Sequence, residues 1–135
     1  MSIGFGGFSR IVLQDESTVI YEYSPYNLND PAYRNAGHIY DGLITISKDA
    51  LVEPEIHEKT KRLPGGRRKA VVKRIRQDVE YAALFSAEKI AVENSRFCWI
   101  IAENSCGLIA KRLISMIFNC YQDTGTLPVE VSYHV

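Results

Sequence analysis

Alternating apolar and polar positions near the N-terminus predict a pair of strands. β-branched and aromatic residues run through 8–13 and again through 18–23, and the polar residues 14–17 separate them. This arrangement is the sequence form of an antiparallel β-hairpin. Residues 24–37 are rich in Asn, Pro and Gly, so they predict an irregular surface loop. Alternation resumes within 38–47, which predicts a third strand.

The strongest helical pattern lies in the last third of the chain. A helix is predicted to begin near Asn104 or Ser105, both good N-cap residues, and to run to about Tyr121. Apolar residues on one side of this helix form a stripe that we expect to pack against the sheet. The stripe comprises Cys106, Ile109, Ala110, Leu113, Met116, Ile117 and Cys120.

Shorter elements complete the predicted fold. We predict short strands at 89–93, 97–102 and 129–133, with Trp99 buried among apolar neighbours. The fold class is α+β, with an antiparallel sheet packed against one long C-terminal helix and an additional basic β-hairpin. The length lies in the commonest range for one domain, so residues 1–135 are predicted to form a single domain.

The middle of the chain contains a strong turn signal. In the segment Pro64-Gly65-Gly66, Pro presets one turn dihedral and Gly permits the positive φ that follows. A hairpin with Pro64 to Arg67 as its loop would bring acidic residues opposite basic ones and neutralise part of its own charge. The predicted opposite pairs are Leu63 with Arg68, Glu58 with Lys73, Ile56 with Ile75, and Glu55 with Arg76.

A helix is the alternative for this region. Val71, Ile75, Val79 and Ala83 recur at four-residue spacing, which is typical of one helix over 67–87. The β-branched residues weaken that interpretation. We therefore favour a strand as far as Ile75, followed by a short helix over 78–86 that Asp78 caps.

Charge along the chain is strongly segregated. The formal net charge is zero, but residues 59–76 contain nine of the sixteen Lys and Arg residues and no acid. The rest of the chain carries all sixteen acidic residues and only seven Lys and Arg residues. We therefore expect the protein to bind a charged partner either through this basic run or through an acidic surface of the remaining chain.

The cysteines and the apolar runs indicate the compartment. Cys98, Cys106 and Cys120 are odd in number and lack CxxC spacing, so they are expected to stay reduced. The N-terminus lacks the features of a signal peptide, and no apolar run approaches the roughly 18 residues of a membrane span. We predict a cytoplasmic protein without membrane contact. The oligomeric state stays open.

Candidate catalytic chemistry is sparse. Glu53, Glu55 and His57 fall at every second position, so an extended chain puts them on one face, where they would suit a divalent metal or acid-base work. No fourth ligand accompanies them. The three histidines lie in unrelated sequence contexts. A ribonuclease using His38 or His57 with Lys59 or Lys61 is one alternative, but we predict neither a catalytic residue nor a metal or cofactor.

Two binding functions remain. The basic run would neutralise phosphates, and a two-stranded ribbon can enter a major groove, so a nucleic-acid-binding protein is the first alternative. In size, predicted fold, charge segregation and lack of catalytic motifs the chain also resembles the small cytoplasmic immunity proteins of bacterial toxin systems, including those of contact-dependent growth inhibition. That resemblance implies a non-catalytic protein that binds and neutralises a cognate toxin domain, and it is the function we predict.

Partner-binding residues follow from the charge pattern. The tip of the basic hairpin has no predicted internal partner, and the neighbouring carboxylates would mimic the phosphates that a basic toxin nuclease binds. The predicted contact residues are Lys61, Arg62, Arg67, Arg68, Lys69, Glu53, Glu55 and Glu58.

Overall fold

The computed structural model describes residues 4–135 and confirms the α+β class. Five antiparallel strands form one sheet in the order β6-β3-β2-β1-β7, and β4 and β5 form a separate two-stranded sheet. The strands are β1 (Phe5–Gln14), β2 (Thr18–Asn27), β3 (Gly42–Ser47), β4 (Glu55–Arg62), β5 (Arg68–Ile75), β6 (Ile90–Glu93) and β7 (Glu130–His134). The helices are α1 (Tyr81–Ser86) and α2 (Leu108–Thr124).

The β1–β2 hairpin confirms the prediction and extends further than the sequence pattern indicated. Asp15 closes its turn, because its carboxylate accepts hydrogen bonds from the backbone N–H groups of Ser17 and Thr18, both at 2.8 Å. β2 continues to Asn27 and so includes the first residues of the predicted loop. Pro25 is tolerated there since it lies beyond the last β2–β3 pair, Tyr23 with Gly42, so its missing N–H removes no hydrogen bond between those two strands.

The core lies between one face of the sheet and α2. Alternate residues of β2 and β3 are buried, which is the period-two pattern of a strand with one covered face. Gly7 on β1 permits close approach, since a Cβ atom there would lie 2.5 Å from Ile109 of α2. The largest buried side chains include Tyr21, Tyr23, Phe118, Ile44, Ile46, Leu113 and Ile117.

The long helix differs from its prediction at both ends. Residues Glu103–Ser105 form a 3₁₀ turn, in which Asn104 and Ser105 have φ values of 64° and 56°. These residues are therefore not N-caps, and α2 begins at Leu108. It ends at Thr124, where Gly125 adopts a φ of 79° that suits glycine. Among the described residues no helix is both long and apolar enough to cross a membrane.

Three further predictions are wrong. Residues 97–102 form no strand, because Asp41 binds Ser95 and the Tyr23 hydroxyl accepts a hydrogen bond from the Ser95 N–H at 2.9 Å, so the chain leaves the sheet edge after β6. Trp99 is only partly buried. Asp78 caps no helix, since α1 begins at Tyr81 without a side-chain cap.

Candidate functional site

A two-stranded ribbon stands apart from the main sheet, and we call it the cationic arm. It consists of β4, β5 and the connecting residues 63–67. Every residue from Glu55 to Arg74 is exposed. Eight residues per strand correspond to a ribbon about 25 Å long. The strand interpretation of 67–75 is therefore confirmed, and the helix alternative is wrong.

The turn at the tip of the arm moves the strand register by one residue from the prediction. Gly65 and Gly66 have φ values of 91° and 84°, so two consecutive residues occupy the left-handed region. The Gly66 N–H donates to the Leu63 carbonyl at 3.1 Å, and the Leu63 N–H donates to the Arg67 carbonyl at 2.6 Å. The loop thus needs five residues, Leu63 to Arg67, instead of four.

This shift removes every predicted acid-base pair of the arm. Glu58 lies opposite Val72, and Glu55 lies opposite Ile75, so neither faces a cation across the ribbon. Arg76 lies beyond β5 and pairs with a carboxylate of α2 instead. The expectation that the base of the hairpin neutralises itself is wrong, because a slip of one residue exchanges every side-chain partner.

The register sorts the basic residues of the arm by type. Residues paired across an antiparallel ribbon lie on the same face. One surface, the lysine face, therefore carries Lys59, Lys61, Lys69 and Lys73. The other, the arginine face, carries Arg62, Arg68 and Arg74. Both faces of the arm are thus positively charged.

Like charges meet at the tip. Lys61 lies opposite Lys69 on the lysine face, and Arg62 lies opposite Arg68 on the arginine face. Arg67 occupies the loop beside them. Like charges directly opposite each other destabilise an antiparallel pair. The structure thus brings together all five basic residues that the sequence singled out, in a cluster with no acidic neighbour across the strands.

The three predicted carboxylates do not form one patch. Glu55 accepts a hydrogen bond from His57 at 2.7 Å on the lysine face. Glu58 lies on the arginine face, since it is three positions further along the strand. Glu53 precedes the arm and accepts a hydrogen bond from the Tyr121 hydroxyl, an interaction that raises the pKa of Tyr121.

Gln122 attaches the arm to the body of the protein. Its side chain is 1% exposed. Its amide oxygen accepts from the Gln77 N–H at 2.6 Å, and its amide nitrogen donates to the Gln77 carbonyl at 2.9 Å. One side chain thus satisfies both backbone groups of a residue just after β5, as a neighbouring strand would. Gln122 therefore fixes the direction in which the arm leaves the domain.

Two arginines reinforce this attachment at the C-terminal end of α2. Arg76 contacts both carboxylate oxygens of Asp123, at 2.8 and 2.5 Å. Arg74 donates to the Gln122 carbonyl at 3.4 Å, where a cation also complements the negative end of the helix dipole. The hydrogen bond from Arg76 lowers the pKa of Asp123 below its ordinary value of 3.8.

The Arg76–Asp123 pair gives a pH-dependent attachment. The pKa of Asp123 is lowered by folding, so its stabilising contribution is present above its ordinary pKa and disappears as pH falls through the lowered value. In an NMR titration of the carboxyl carbon we expect a midpoint below 3.8, which returns toward 3.8 in Arg76→Gln. Asp49, whose pKa is lowered by Lys89, is the control and should not move. An unchanged Asp123 midpoint in the variant would refute the pairing.

The predicted set of Glu53, Glu55 and His57 is not brought together in the structure. Glu55 and His57 share a face as predicted, but Glu53 is bound to Tyr121. Within residues 4–135 no three His, Cys, Asp or Glu side chains are grouped in a way that would hold a metal ion.

Cys106 is fully buried, and burial raises the pKa of its thiol to about 11.

Some residues of the site were not among the predicted partner-binding residues. Lys59, Lys73 and Arg74 extend the charge of the tip along the arm. Their alternation was visible, since lysines occupy odd positions and most arginines even positions of the two strands. Gln122 gave no signal, because a polar residue on the last turn of a helix is ordinary.

Comparisons with protein-family models, with curated proteins and with solved structures found no match to this chain. The resemblance to immunity proteins therefore stays a prediction. The cationic arm, by its geometry and charge, is therefore the candidate binding element of the protein.

Proposed function

We propose that this protein binds nucleic acid by contacting phosphate groups with the cationic arm. The observation that supports the proposal is the unpaired charge of the arm. Of the nine Lys and Arg residues in 59–76, Arg76 alone forms an ion pair within the described part of the chain. Eight cations without an ion pair thus lie on an exposed ribbon, and all of them except Arg74, which donates to the Gln122 carbonyl, lie away from its attachment. Lys and Arg that neutralise phosphates gain affinity from counterion release.

Binding of a polyanion would reduce the electrostatic repulsion between like charges of the arm, which no acidic residue across the ribbon reduces. Isolated two-stranded hairpins are marginally stable in water, and the arm adds the like-charge pairs Lys61–Lys69 and Arg62–Arg68. Phosphates placed between these side chains turn repulsion into attraction. Binding is therefore expected to stabilise the arm itself.

The shape of the arm suits a groove of duplex DNA. The major groove of B-DNA is about 12 Å wide and admits a two-stranded β-ribbon. With cations on both faces, an inserted arm presents lysines to one wall and arginines to the other. The proposal therefore places the tip in the groove.

The charge of the rest of the protein orients this contact. Outside the arm, residues 55–75, there are fourteen acidic residues and eight Lys and Arg residues. The body of the protein is consequently repelled by a polyanion while the arm is attracted. This asymmetry favours approach with the tip first.

Direct binding tests the proposal. In fluorescence anisotropy at 50 mM salt, the native protein is expected to bind a labelled 20-base-pair duplex and to release it as salt rises toward 0.5 M, because phosphate contacts are salt-sensitive. A single-stranded oligonucleotide of the same length distinguishes groove insertion from general attraction. Absence of binding to either probe at 50 mM salt would refute the proposal.

A protein partner is the second candidate, in line with the resemblance to immunity proteins. It is favoured by apolar side chains on the arginine face, where Ile56 is 52% and Val72 is 55% exposed. An acidic partner with an apolar groove, such as a toxin domain, would cover both. If a toxin-like domain is encoded beside this gene, Ile56→Asp with Val72→Asp should abolish binding to it. Loss of DNA binding with no effect on that complex would count against this candidate.

A further inference from the structure

The sheet face opposite α2 carries an aromatic cluster centred on Phe8. Phe8 follows Gly7, which faces α2, so its side chain lies on the other face. The imidazole rings of His38 and His134 both meet the Phe8 ring edge-on, with centroid distances of 5.5 and 5.1 Å. The sequence placed these histidines in unrelated contexts. The fold brings them to one ring from positions 96 residues apart in the chain.

His38 lies in a turn and has an uncommon backbone conformation. Its φ is 49°, which is uncommon for a residue other than glycine, and it is exposed. Asn35 fixes the turn. The Asn35 side chain is buried and donates to the Ser24 hydroxyl and the Pro25 carbonyl at 2.8 and 2.9 Å, while its oxygen accepts from the Ile39 N–H at 2.9 Å. A fully bonded buried amide thus maintains an exposed imidazole in a strained backbone position, which is typical of functional sites.

His134 is oriented by Tyr26. Its Nδ1 atom lies 2.6 Å from the Tyr26 hydroxyl, at hydrogen-bonding distance. When the imidazole of His134 is protonated, its Nδ1–H donates a hydrogen bond to the Tyr26 oxygen. The proton on Nε2 is then the one that can be transferred to a bound ligand. The arrangement therefore suits a general acid.

Two depressions meet at Phe8. One, of about 330 Å³, lies between Phe8, Tyr26, Leu28, Arg34 and His38. The other, of about 360 Å³, lies between Phe8, Tyr40, Glu130 and Ser132. Each has the size of a small-ligand site, and the first combines aromatic walls with one guanidinium group. A two-part ligand would place one part in each depression and its connecting group beside Phe8.

We propose that this groove binds a dinucleotide step of single-stranded RNA and cleaves its phosphodiester with His38 as general base and His134 as general acid. Bases stack on aromatic side chains, and single-stranded RNA is recognised in this way. The connecting phosphate lies beside Phe8, whose ring both imidazoles contact. Arg34 supplies positive charge at the rim. The proposal does not depend on the cationic arm.

The reaction balances with the groups present. The 2′-oxygen forms a bond to phosphorus as its proton passes to His38, and the bond from phosphorus to the 5′-oxygen breaks as that oxygen takes a proton from His134. The products are a 2′,3′-cyclic phosphate and a free 5′-hydroxyl. Addition of water across the cyclic phosphate, with the two imidazoles in reversed roles, returns each to its starting state.

The test uses the dinucleotide uridylyl-3′,5′-adenosine with the full chain, since so short a substrate separates the groove from the arm. Chromatography is expected to show uridine 2′,3′-cyclic phosphate and adenosine. His38→Gln and His134→Gln should each lower kcat/KM by about 10² to 10⁴. Arg112→Gln, an exposed position of α2 on the opposite side of the sheet from Phe8, is the control and should leave the rate unchanged. The deoxy analogue, which has no 2′-hydroxyl, should not react.

A substrate whose leaving group needs no proton tests whether His134 is the general acid and His38 the general base. With a 5′-bridging sulfur in place of oxygen, His134→Gln should recover most of its rate, whereas His38→Gln should not. Tyr26→Phe should lower kcat more than it raises KM if Tyr26 orients the acid. No cleavage by the native protein, binding without cleavage, or equal cleavage by native and histidine variants would each overturn the proposal. Thermal unfolding of each variant controls for folding.

Discussion

Replacing Lys61, Arg62, Arg68 and Lys69 with glutamine is expected to weaken binding to duplex DNA about 10³-fold at 0.1 M salt. Each cation that contacts a phosphate contributes close to one power of ten at this salt concentration relative to 1 M. The folded domain should be unaffected, because all four side chains are exposed and lie far along the arm from its attachment. Removal of two like-charge pairs should even stabilise the free arm. Anisotropy titrations and thermal unfolding measure the two effects.

A control variant with the same change in net charge separates position from total charge. Lys48, Lys89, Lys111 and Arg112 lie outside the arm, and their replacement with glutamine removes four charges as well. Binding by this variant should fall by no more than about tenfold, since general attraction to a polyanion is screened beyond about 10 Å at 0.1 M salt. An equal loss in both variants would show that net charge, and not the arm, determines binding.

Gln122→Leu is expected to loosen the attachment of the arm and to lower the free energy of unfolding by about 2 kcal/mol. The substitution preserves the approximate volume of the side chain but leaves the Gln77 N–H and carbonyl without their partner. Hydrogen exchange at the Gln77 amide should accelerate markedly, since its protection depends on this one acceptor. Urea unfolding and NMR exchange measurements report the two effects.

Gln77→Ala is the matched control for this prediction. The Gln77 side chain donates a hydrogen bond to the Ile75 carbonyl, whereas its backbone makes both bonds to Gln122. The control should therefore keep its stability within about 0.5 kcal/mol and its protected amide. If Gln122→Leu behaves like the control, Gln122 is not what fixes the arm.

Local patterns predicted most of the secondary structure because each depends on neighbouring residues. The alternation of β1 and β2 and the apolar stripe of α2 follow from side-chain burial on one face. The helix start was misplaced because Asn104 and Ser105 are good caps in isolation but adopt positive φ in a preceding turn. Residues 97–102 have strand-like composition, yet contacts to Asp41 redirect the chain. Such long-range contacts leave no local pattern.

In the candidate site, too, the features that depend on neighbouring residues were predicted, and those that depend on residues distant in the sequence were not. The turn chemistry of Pro64-Gly65-Gly66 correctly placed a hairpin, and the tip cations were identified from charge alone. The register failed by one residue, because whether Leu63 belongs to the loop depends on a backbone conformation that composition does not specify. Convergence of His38 and His134 on Phe8 depends on the order of strands in the sheet, which no spacing in the sequence reveals.

The salt dependence of DNA binding tests the role of the cationic arm most directly. A plot of log K against log salt has a slope that counts the phosphates neutralised by the protein. The native protein is expected to show a steep negative slope, and the variant with Lys61, Arg62, Arg68 and Lys69 replaced by glutamine should show a slope smaller by about 3 to 4. Equal slopes for the two proteins would contradict the account, because the tip cations would then contact no phosphate.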